Sequence, residues 1–196
     1  MGKGTWFKIP GLQDGERSLE EQMKGLRHAL FEVREAAIAG CPLSAWDLGT
    51  AEGLIAFEFM KAGAVVDALD CNPVLLEVAE AERAKLPEED RARITFRKAD
   101  LRDVLAEGLT ASFDVVLALA VVHKLPEPEK ALGYIARAAR SLVVIRLPGG
   151  STGVFQSKGF GTYCDVNATM PKHGFQLERT EQGPRDELVV YWRRTA

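Results

Sequence analysis

Hydrophobic and polar positions along the chain change their period several times, and each change predicts a new element. Ser18 and Glu21 have the spacing of a capping box, and apolar residues then recur at helical intervals as far as Gly40 and Pro42. This pattern predicts one long amphipathic helix that ends near Gly40. Beyond it the helical period gives way to short apolar runs.

These short apolar runs alternate with helical stretches along the middle of the chain. The predicted strands are Ala45–Gly49, Ala64–Asp70, Arg93–Asp100, Phe113–Val122 and Leu142–Leu147, and the predicted helices are Gly53–Gly63, Asn72–Leu86, Leu101–Gly108 and Pro128–Ser141. Runs such as VVLALAVV are apolar throughout, as expected of strands that are covered on both faces. The alternation therefore predicts an α/β fold with a parallel sheet and helices on both sides.

The pattern loosens after the last of these strands. Residues 148–173 are rich in Gly and Ser, which predicts a lid loop followed by a short helix around Asp165–Lys172. Phe175–Glu181 and Glu187–Arg193 are predicted to be antiparallel strands because a short Gly-Pro turn joins them. We expect a single domain with an N-terminal arm and helix (1–42), a core (43–147), the lid (148–173) and a closing hairpin (174–196).

Composition and charge narrow the class of protein. The 196 residues are 46% apolar and 27% charged, which is typical of one globular domain. Lys and Arg total 25 against 28 Asp and Glu, a net charge of -3, so the balance does not support a nucleic-acid partner. Three widely spaced cysteines and three histidines predict neither a disulfide framework nor a metal site. No apolar run is long enough for a signal peptide or a membrane span, so we expect a cytoplasmic protein.

The strongest chemical signal lies between the first strand and the helix that follows it. The run Asp47–Gly53 has the sequence DLGTAEG, in which Gly49 and Gly53 let a ligand approach backbone N–H groups at a helix N-terminus. Asp70 follows Gly53 by 17 residues and ends the second strand, where a carboxylate can accept hydrogen bonds from ribose hydroxyls. Together these features predict an adenosine-containing cofactor.

The spacing within this run distinguishes between two such cofactors. A nicotinamide site of the form GxGxxG that began at Gly49 would need glycines where the chain has Ala51 and Leu54. Asp47 is unfavourable beside a pyrophosphate, but it suits a ligand that carries an ammonium and a sulfonium group. The spacing favours S-adenosylmethionine, and a nicotinamide oxidoreductase stays as a weaker alternative.

Four features together resemble the class I S-adenosylmethionine-dependent methyltransferases. They are the run Asp47–Gly53, the acid Asp70, the tripeptide Ala99–Leu101 and the closing strand pair, with Ala51 where the family pattern has glycine. The resemblance implies a Rossmann-like, doubly wound sheet of seven strands in the order 3-2-1-4-5-7-6 with strand 7 antiparallel. It also implies a methyl transfer to oxygen or nitrogen of a small or medium-sized acceptor.

The resemblance further assigns cofactor-binding residues. The methionine portion of S-adenosyl-L-methionine would lie against Asp47, Gly49, Thr50, Ala51, Glu52 and Gly53. Asp70 would hold the ribose, Asp100 the adenine amino group and Leu101 the adenine ring, and we expect Cys71 to lie against the cofactor because it follows Asp70.

Candidates for catalysis and acceptor binding come from other segments. His123 follows the fourth strand, where a neutral imidazole can take a proton from the acceptor or simply cap the strand. Arg146 is expected to reach the same rim and to hold a carboxylate or phosphate there, or else to pair with a local acid. The arm and the lid contribute further candidates, namely Trp6, Lys8, Lys158 and Tyr163.

Two alternatives to a small-molecule methyltransferase stay open. The arm around Trp6 and Lys8 is similar to the entry segment of wobble-uridine tRNA methyltransferase relatives. A non-catalytic S-adenosylmethionine-binding module would carry the same cofactor motifs as an enzyme. The sequence gives no indication of the oligomeric state.

Overall fold

A seven-stranded sheet forms the centre of the molecule. The computed structural model describes residues 18–107 and 111–195, so Trp6, Lys8 and the rest of the N-terminal arm lie outside the described residues. The strands are β1 (Ser44–Leu48), β2 (Val65–Asp70), β3 (Ile94–Lys98), β4 (Phe113–Leu119), β5 (Ala139–Leu147), β6 (Val154–Gln156), β7 (Tyr163–Asp165), β8 (Phe175–Gln182) and β9 (Leu188–Arg194).

The helices connect these strands and cover the sheet. They are α1 (Leu19–Gln22), α2 (Arg27–Ile38), α3 (Leu54–Lys61), α4 (Pro73–Arg83), α5 (Glu88–Arg91), α6 (Leu101–Glu107), α7 (Pro128–Ala138) and α8 (Val166–Thr169), with short 3-10 helices at Val122–Lys124, Met170–His173 and Pro184–Asp186. The N-cap expected of Asn72 is confirmed, since its side chain accepts a hydrogen bond of 3.0 Å from the Val74 N–H. No helix in the described ranges is both long enough and apolar enough to span a bilayer.

The strand order confirms the predicted sheet. It runs β3-β2-β1-β4-β5-β9-β8, with β1 to β5 parallel to one another and β9 antiparallel to both of its neighbours. β8 and β9 therefore occupy the places of the sixth and seventh strands. The order reverses between β1 and β4, and in open α/β sheets ligands bind at such a switch point, outside the carboxyl ends of the strands.

The core lies on both faces of this sheet. Leu132 and Ile135 of α7 pack against one face, while Val33 of α2 and Phe59 of α3 pack against the other, and all four are fully buried. Burial on both faces explains why the central strands are apolar throughout.

The prediction of a single N-terminal helix is wrong, because the segment forms two helices, α1 and α2, with a break between them. Gly25 adopts a φ of +78°, and a Cβ at this position would lie 2.8 Å from the Val189 side chain. The Tyr191 hydroxyl donates a hydrogen bond of 2.6 Å to the Gly25 carbonyl and fixes the break against β9. The apolar stripe continues across the break through Met23 and Leu26, so periodicity alone could not reveal it.

The prediction of a lid loop in residues 148–173 is also wrong in part, because β6 and β7 form an antiparallel pair there. Phe155 and Cys164 are buried on its inner side, while Val154 and Tyr163 are exposed. The turn of the hairpin is attached to the body of the protein, since the Lys158 N–H donates a hydrogen bond of 2.7 Å to the His123 carbonyl. Strands of three residues are too short to show a period of two in a sequence.

Candidate active site

A cavity of about 660 Å³ opens at the carboxyl ends of β1, β2 and β4, a size common for sites that hold small ligands. Ten of the residues expected at a site line this cavity: Asp47, Gly49, Thr50, Ala51, Asp70, Cys71, Asp100, Leu101, His123 and Arg146. Lys158, which the sequence placed in the lid, also lines it. Glu52 and Gly53 are buried beside the cavity without lining it, and Tyr163 lies away from it with 69% of its surface exposed.

The turn after β1 is shaped by three residues in the left-handed region of backbone space. Gly49 has a φ of +75°, Ala51 of +52° and Gly53 of +80°. A Cβ on Gly53 would lie 2.7 Å from the Phe96 ring, so this glycine allows the turn to pack closely on β3. Ala51 pays a conformational cost of about 1 to 2 kcal/mol where the family pattern has glycine.

The backbone N–H groups of this turn are used within the protein. Those of Gly49 and Thr50 donate to the Leu69 carbonyl at 2.9 and 3.0 Å, and that of Ala51 donates to Asp70 Oδ2 at 2.9 Å. The sequence suggested that the turn would offer such groups to a charged ligand, and these three instead connect the turn to β2. These three N–H groups are therefore not available to a ligand.

Asp70 is held by two backbone donors. The Asn72 N–H donates to Asp70 Oδ1 at 2.9 Å, and the Ala51 N–H donates to Asp70 Oδ2. Each carboxylate oxygen can accept more than one hydrogen bond, so the oriented carboxylate can still receive ribose hydroxyls. The bond from the Ala51 N–H also connects Asp70 to the turn after β1.

Asp47 is the buried acid of the cavity. It lies on β1 between Ala68 of β2 and Leu117 of β4, with 2% of its surface exposed. Burial raises its pKa from 3.8 to about 6, with a smaller contribution from Asp70 in the same direction. Its Oδ2 accepts no hydrogen bond from the described residues. A buried carboxylate is costly unless it lies beside a positive charge. The Asp47 carboxylate therefore fits a ligand with an ammonium or sulfonium group.

Asp100, Leu101 and Cys71 form the rim of the cavity. Arg102 lies beside Asp100, with an Nη2 to Oδ2 distance of 2.5 Å, and lowers the pKa of that carboxyl. Asp100 also caps α6, because it accepts the Arg102 N–H at 2.9 Å. Burial, together with Asp70 and Asp100, raises the pKa of the Cys71 thiol, which therefore stays protonated.

His123 lies in the 3-10 turn after β4 and lines the cavity. Its ring packs edge-on against Phe155 with centroids 6.4 Å apart. Burial lowers its pKa to about 4, and the positive charges of Lys124 and Lys158 act in the same direction. The imidazole is therefore neutral at physiological pH, and its buried Nδ1 has no hydrogen-bond partner among the described residues.

Arg146 lines the cavity from a buried position rather than from the exposed rim that the sequence suggested. Its guanidinium donates to Gln22 Oε1 at 3.0 Å and to the Gln22 carbonyl at 2.6 Å, and Glu187 Oε2 lies 3.7 Å away. This arrangement matches the second alternative for Arg146 given above, pairing with a local acid, which is Glu187. Arg146 thereby attaches α1 to the wall of the cavity.

The cavity-lining residues that sequence reasoning missed include the polar side chains of Gln22, Arg102, Lys124 and Glu187. Lys124 follows His123 directly, so the strand-end rule that identified the histidine could have included it. Gln22 and Glu187 reach the cavity only through the break at Gly25 and the antiparallel insertion of β9. No local sequence signal reports either feature.

One group of side chains elsewhere has the spacing of a metal site. Ligand atoms of His28, Glu32 and Glu178 lie within 4.8 Å of one another. The Arg193 guanidinium pairs with Glu32 at 2.5 Å and with Glu178 at 2.8 Å. Because a positive charge already lies between these acids, the group is better described as an ion-pair network.

The fold agrees with what family comparison shows. A family model described as "methyltransferase domain" matches residues 46–145. The chain belongs to the class I S-adenosylmethionine-dependent methyltransferase family. The cofactor of this family is S-adenosylmethionine. The similarity of the N-terminal arm to tRNA methyltransferase relatives stays a prediction.

This methyltransferase domain is similar in sequence to individual proteins of known name. It is 30% identical over 146 residues to magnesium protoporphyrin IX methyltransferase of Arabidopsis thaliana, covering 70% of the chain and 43% of that protein. It is also 30% identical over 91 residues to ubiquinone biosynthesis O-methyltransferase of Xanthomonas oryzae pv. oryzae, covering 46% of the chain and 36% of that protein. The chain thus spans about half the length of the curated relatives it matches, or less.

A solved structure supports the fold over nearly the whole chain. Magnesium protoporphyrin IX methyltransferase from Synechocystis PCC 6803, with bound S-adenosylhomocysteine, superposes with a TM-score of 0.67 at 18% identity. The superposition covers 93% of this chain and 90% of that one.

Proposed function

We propose that this protein transfers a methyl group from S-adenosylmethionine to an oxygen or nitrogen atom of a small or medium-sized acceptor. The observation that carries the proposal is a single cavity that joins the turn after β1, Asp47, Asp70 and His123. The groups that we assign to the cofactor and to the acceptor thus line one cavity at the switch point of the sheet.

The residues at the β1 and β2 end fit the cofactor. Asp47 would stabilise its positively charged methionine portion, Asp70 would accept the ribose hydroxyls, and Asp100 with Leu101 would contact the adenine. Cys71 would contribute a neutral surface beside the ribose. When bound, S-adenosylmethionine supplies a methyl group that is already activated by its positive sulfur.

The contribution of the protein is then mainly to orient the acceptor. Holding two reactants in line can supply about 7 to 11 kcal/mol of a reaction barrier. Where the acceptor atom carries a proton, the neutral His123 imidazole can receive it, which makes His123 the candidate catalytic residue.

Two observations favour a small acceptor over a macromolecule. The relatives named above are methyltransferases of magnesium protoporphyrin and of ubiquinone biosynthesis. The chain also carries a net charge of -3, which does not favour a nucleic acid.

Calorimetry with two ligands tests the cofactor assignment. We expect S-adenosylhomocysteine to bind the purified protein and NAD to give no heat of binding. The reverse result would identify a nicotinamide site and overturn the proposal. Turnover is then examined by mass spectrometry of candidate acceptors with S-adenosylmethionine, where the gain of one methyl group is expected. S-adenosylhomocysteine binding without methylation of any acceptor would instead indicate a non-catalytic binding module.

A further inference from the structure

Gln22, the last residue of α1, is a buried polar side chain in the wall of the cavity. Only 2% of its surface is exposed, and it lines the cavity together with Asp47 and Arg146. Its Nε2 atom is buried and has no hydrogen-bond partner among the described residues. A buried donor without a partner is unfavourable, so a ligand oxygen in the cavity would complete this group.

Arg146 determines which way the Gln22 amide faces. Its guanidinium donates to Gln22 Oε1 at 3.0 Å and to the Gln22 carbonyl at 2.6 Å. Because arginine has donors only, the amide oxygen must face Arg146, and the NH2 group must lie on the other side of the amide. The bond to a cation also polarises the amide and strengthens its N–H groups as donors. Gln22 therefore offers a ligand a donor and not an acceptor.

The Gln22–Arg146 pair lies near Asp47. Arg146 is on β5 opposite Leu119 of β4, and Asp47 is on β1 opposite Leu117 of the same strand, so one strand separates the two residues. Burial is the main influence on the pKa of Asp47 and raises it, while the positive charge of Arg146 acts to lower it. The two charges therefore interact, and Gln22 shares this part of the cavity with Asp47.

A ligand with an ammonium group beside Asp47 brings a second group into the same place. The methionine portion of S-adenosylmethionine carries its ammonium and its carboxylate on one carbon atom, so the carboxylate must lie close to the ammonium. The N–H groups of Gly49, Thr50 and Ala51 donate to residues of β2 and are not available to it. The carboxylate therefore needs a donor other than these three.

On the basis of the function proposed above, we propose that Gln22 Nε2 donates a hydrogen bond to the carboxylate of the methionine portion of S-adenosylmethionine. Asp47 holds the ammonium group of the same portion, so α1 and β1 together recognise the amino acid. The contact makes α1 a part of the cofactor site, although α1 lies before the break at Gly25. Lys124 and Lys158 also line the cavity and are the competing partners for the carboxylate.

S-adenosylhomocysteine and its decarboxylated analogue are the probes for this contact. The analogue has a hydrogen atom in place of the carboxylate and keeps the adenosine, the sulfur and the amino group. Calorimetry with both compounds therefore isolates the carboxylate. We expect the wild type to bind S-adenosylhomocysteine at least about 10-fold more tightly than the analogue, the range expected for a hydrogen bond to a charged group.

Gln22→Glu changes the donor and keeps the contact with Arg146. One glutamate oxygen can still accept from Arg146, whereas a negatively charged oxygen replaces Nε2. The added charge repels a carboxylate and attracts an ammonium. We expect S-adenosylhomocysteine to bind this variant about 10-fold or more weakly, and the analogue to bind within about 2-fold of the wild type or more tightly.

Gln22→Met is a second variant, which removes the donor without adding charge. It should also weaken S-adenosylhomocysteine binding and leave binding of the analogue within about 2-fold of the wild type. Gln176→Glu is the matched control, because Gln176 is exposed on β8 outside the cavity and the variant adds the same charge. We expect both compounds to bind this control as they bind the wild type.

Four outcomes contradict the inference or the function on which it rests. Equal weakening of both compounds by the Gln22 variants would show a general disturbance of the cavity and overturn the inference. Unchanged binding of S-adenosylhomocysteine would assign its carboxylate to another group, such as Lys124 or Lys158. Equal binding of the two compounds to the wild type would show that the protein does not recognise the carboxylate. A wild type that does not bind S-adenosylhomocysteine would instead refute the proposed function, and this inference with it.

Discussion

Asp47→Asn should make the ligand-free protein more stable. The pKa of Asp47 is about 6 in the folded protein against 3.8 for an unperturbed aspartate, so the folded state resists its ionisation. The stability associated with the protonated form is present below pH 3.8 and is lost as the pH rises through 6. A difference of about two pKa units corresponds to about 3 kcal/mol above that range. An asparagine leaves buried amide hydrogens to satisfy, so we expect a net gain of about 1 to 2 kcal/mol.

Urea unfolding of the ligand-free protein at pH 7.5 and at pH 4 measures this effect. The gain of about 1 to 2 kcal/mol should appear at pH 7.5 and become a loss of about 1 kcal/mol at pH 4, where most folded wild-type molecules carry the proton and the cost of the buried amide remains. Glu77→Gln, at an exposed carboxylate on α4, is the control and should change stability by less than about 0.5 kcal/mol. If Asp47→Asn were less stable than wild type at pH 7.5, or if the difference were the same at both pH values, the explanation by desolvation would be wrong.

The same variant should bind the cofactor more weakly. If Asp47 faces the positive charge of S-adenosylmethionine, its neutral replacement should lose about 10-fold or more in S-adenosylmethionine affinity by calorimetry. A variant that gains stability and keeps its affinity would place the positive charge elsewhere in the cavity.

Three further substitutions test other parts of the site and fold. Asp70→Ala should weaken S-adenosylhomocysteine binding by about 100-fold by calorimetry, because it removes the ribose acceptor and one partner of the turn. His123→Gln should lower kcat by about 10-fold or more in a methylation assay with S-adenosylhomocysteine affinity nearly unchanged, and full turnover would refute its assignment as the base. Tyr191→Phe removes the hydrogen bond to Gly25 and should cost about 1 kcal/mol, seen as a fall of about 2 to 4 °C in Tm.

Matched controls separate these effects from general disturbance. Asp67 lies on the same strand as Asp70 and pairs with Arg97 at 2.7 Å outside the cavity, so Asp67→Ala should retain cofactor affinity. Tyr163 is exposed, and Tyr163→Phe should leave Tm unchanged. Loss of cofactor affinity in Asp67→Ala, or an unchanged Tm in Tyr191→Phe, would contradict the assigned contacts.

The sheet, and the meeting of Asp47 and Asp70 at one cavity, could be predicted because their signals are local. Strands buried on both faces are apolar throughout, and Asp47 and Asp70 follow from fixed positions relative to such strands. The roles of individual groups in the turn could not be predicted in this way. Whether the Ala51 N–H faces a ligand or Asp70 depends on how two strand ends meet in space.

The part of the cavity around Gln22, Arg146 and Lys158 was harder to predict because it is assembled from distant segments. Gln22 and Arg146 are 124 residues apart in the chain, and their contact depends on the break in the N-terminal helix at Gly25. Lys158 reaches the cavity through a hairpin whose strands are too short to be recognised. The cytoplasmic location and the domain boundaries stay predictions.

The position of β9 inside the sheet has a consequence for the synthesis of the protein. β9 pairs with β5 on one side and β8 on the other, and its Tyr191 and Trp192 are buried on opposite faces of the sheet. Until Leu188–Arg194 has left the ribosome, one edge of β5 is unpaired. Each face of the sheet then also lacks one of its buried aromatic side chains. A nascent chain that pauses before this strand would expose the edge of β5 to other chains, which favours aggregation.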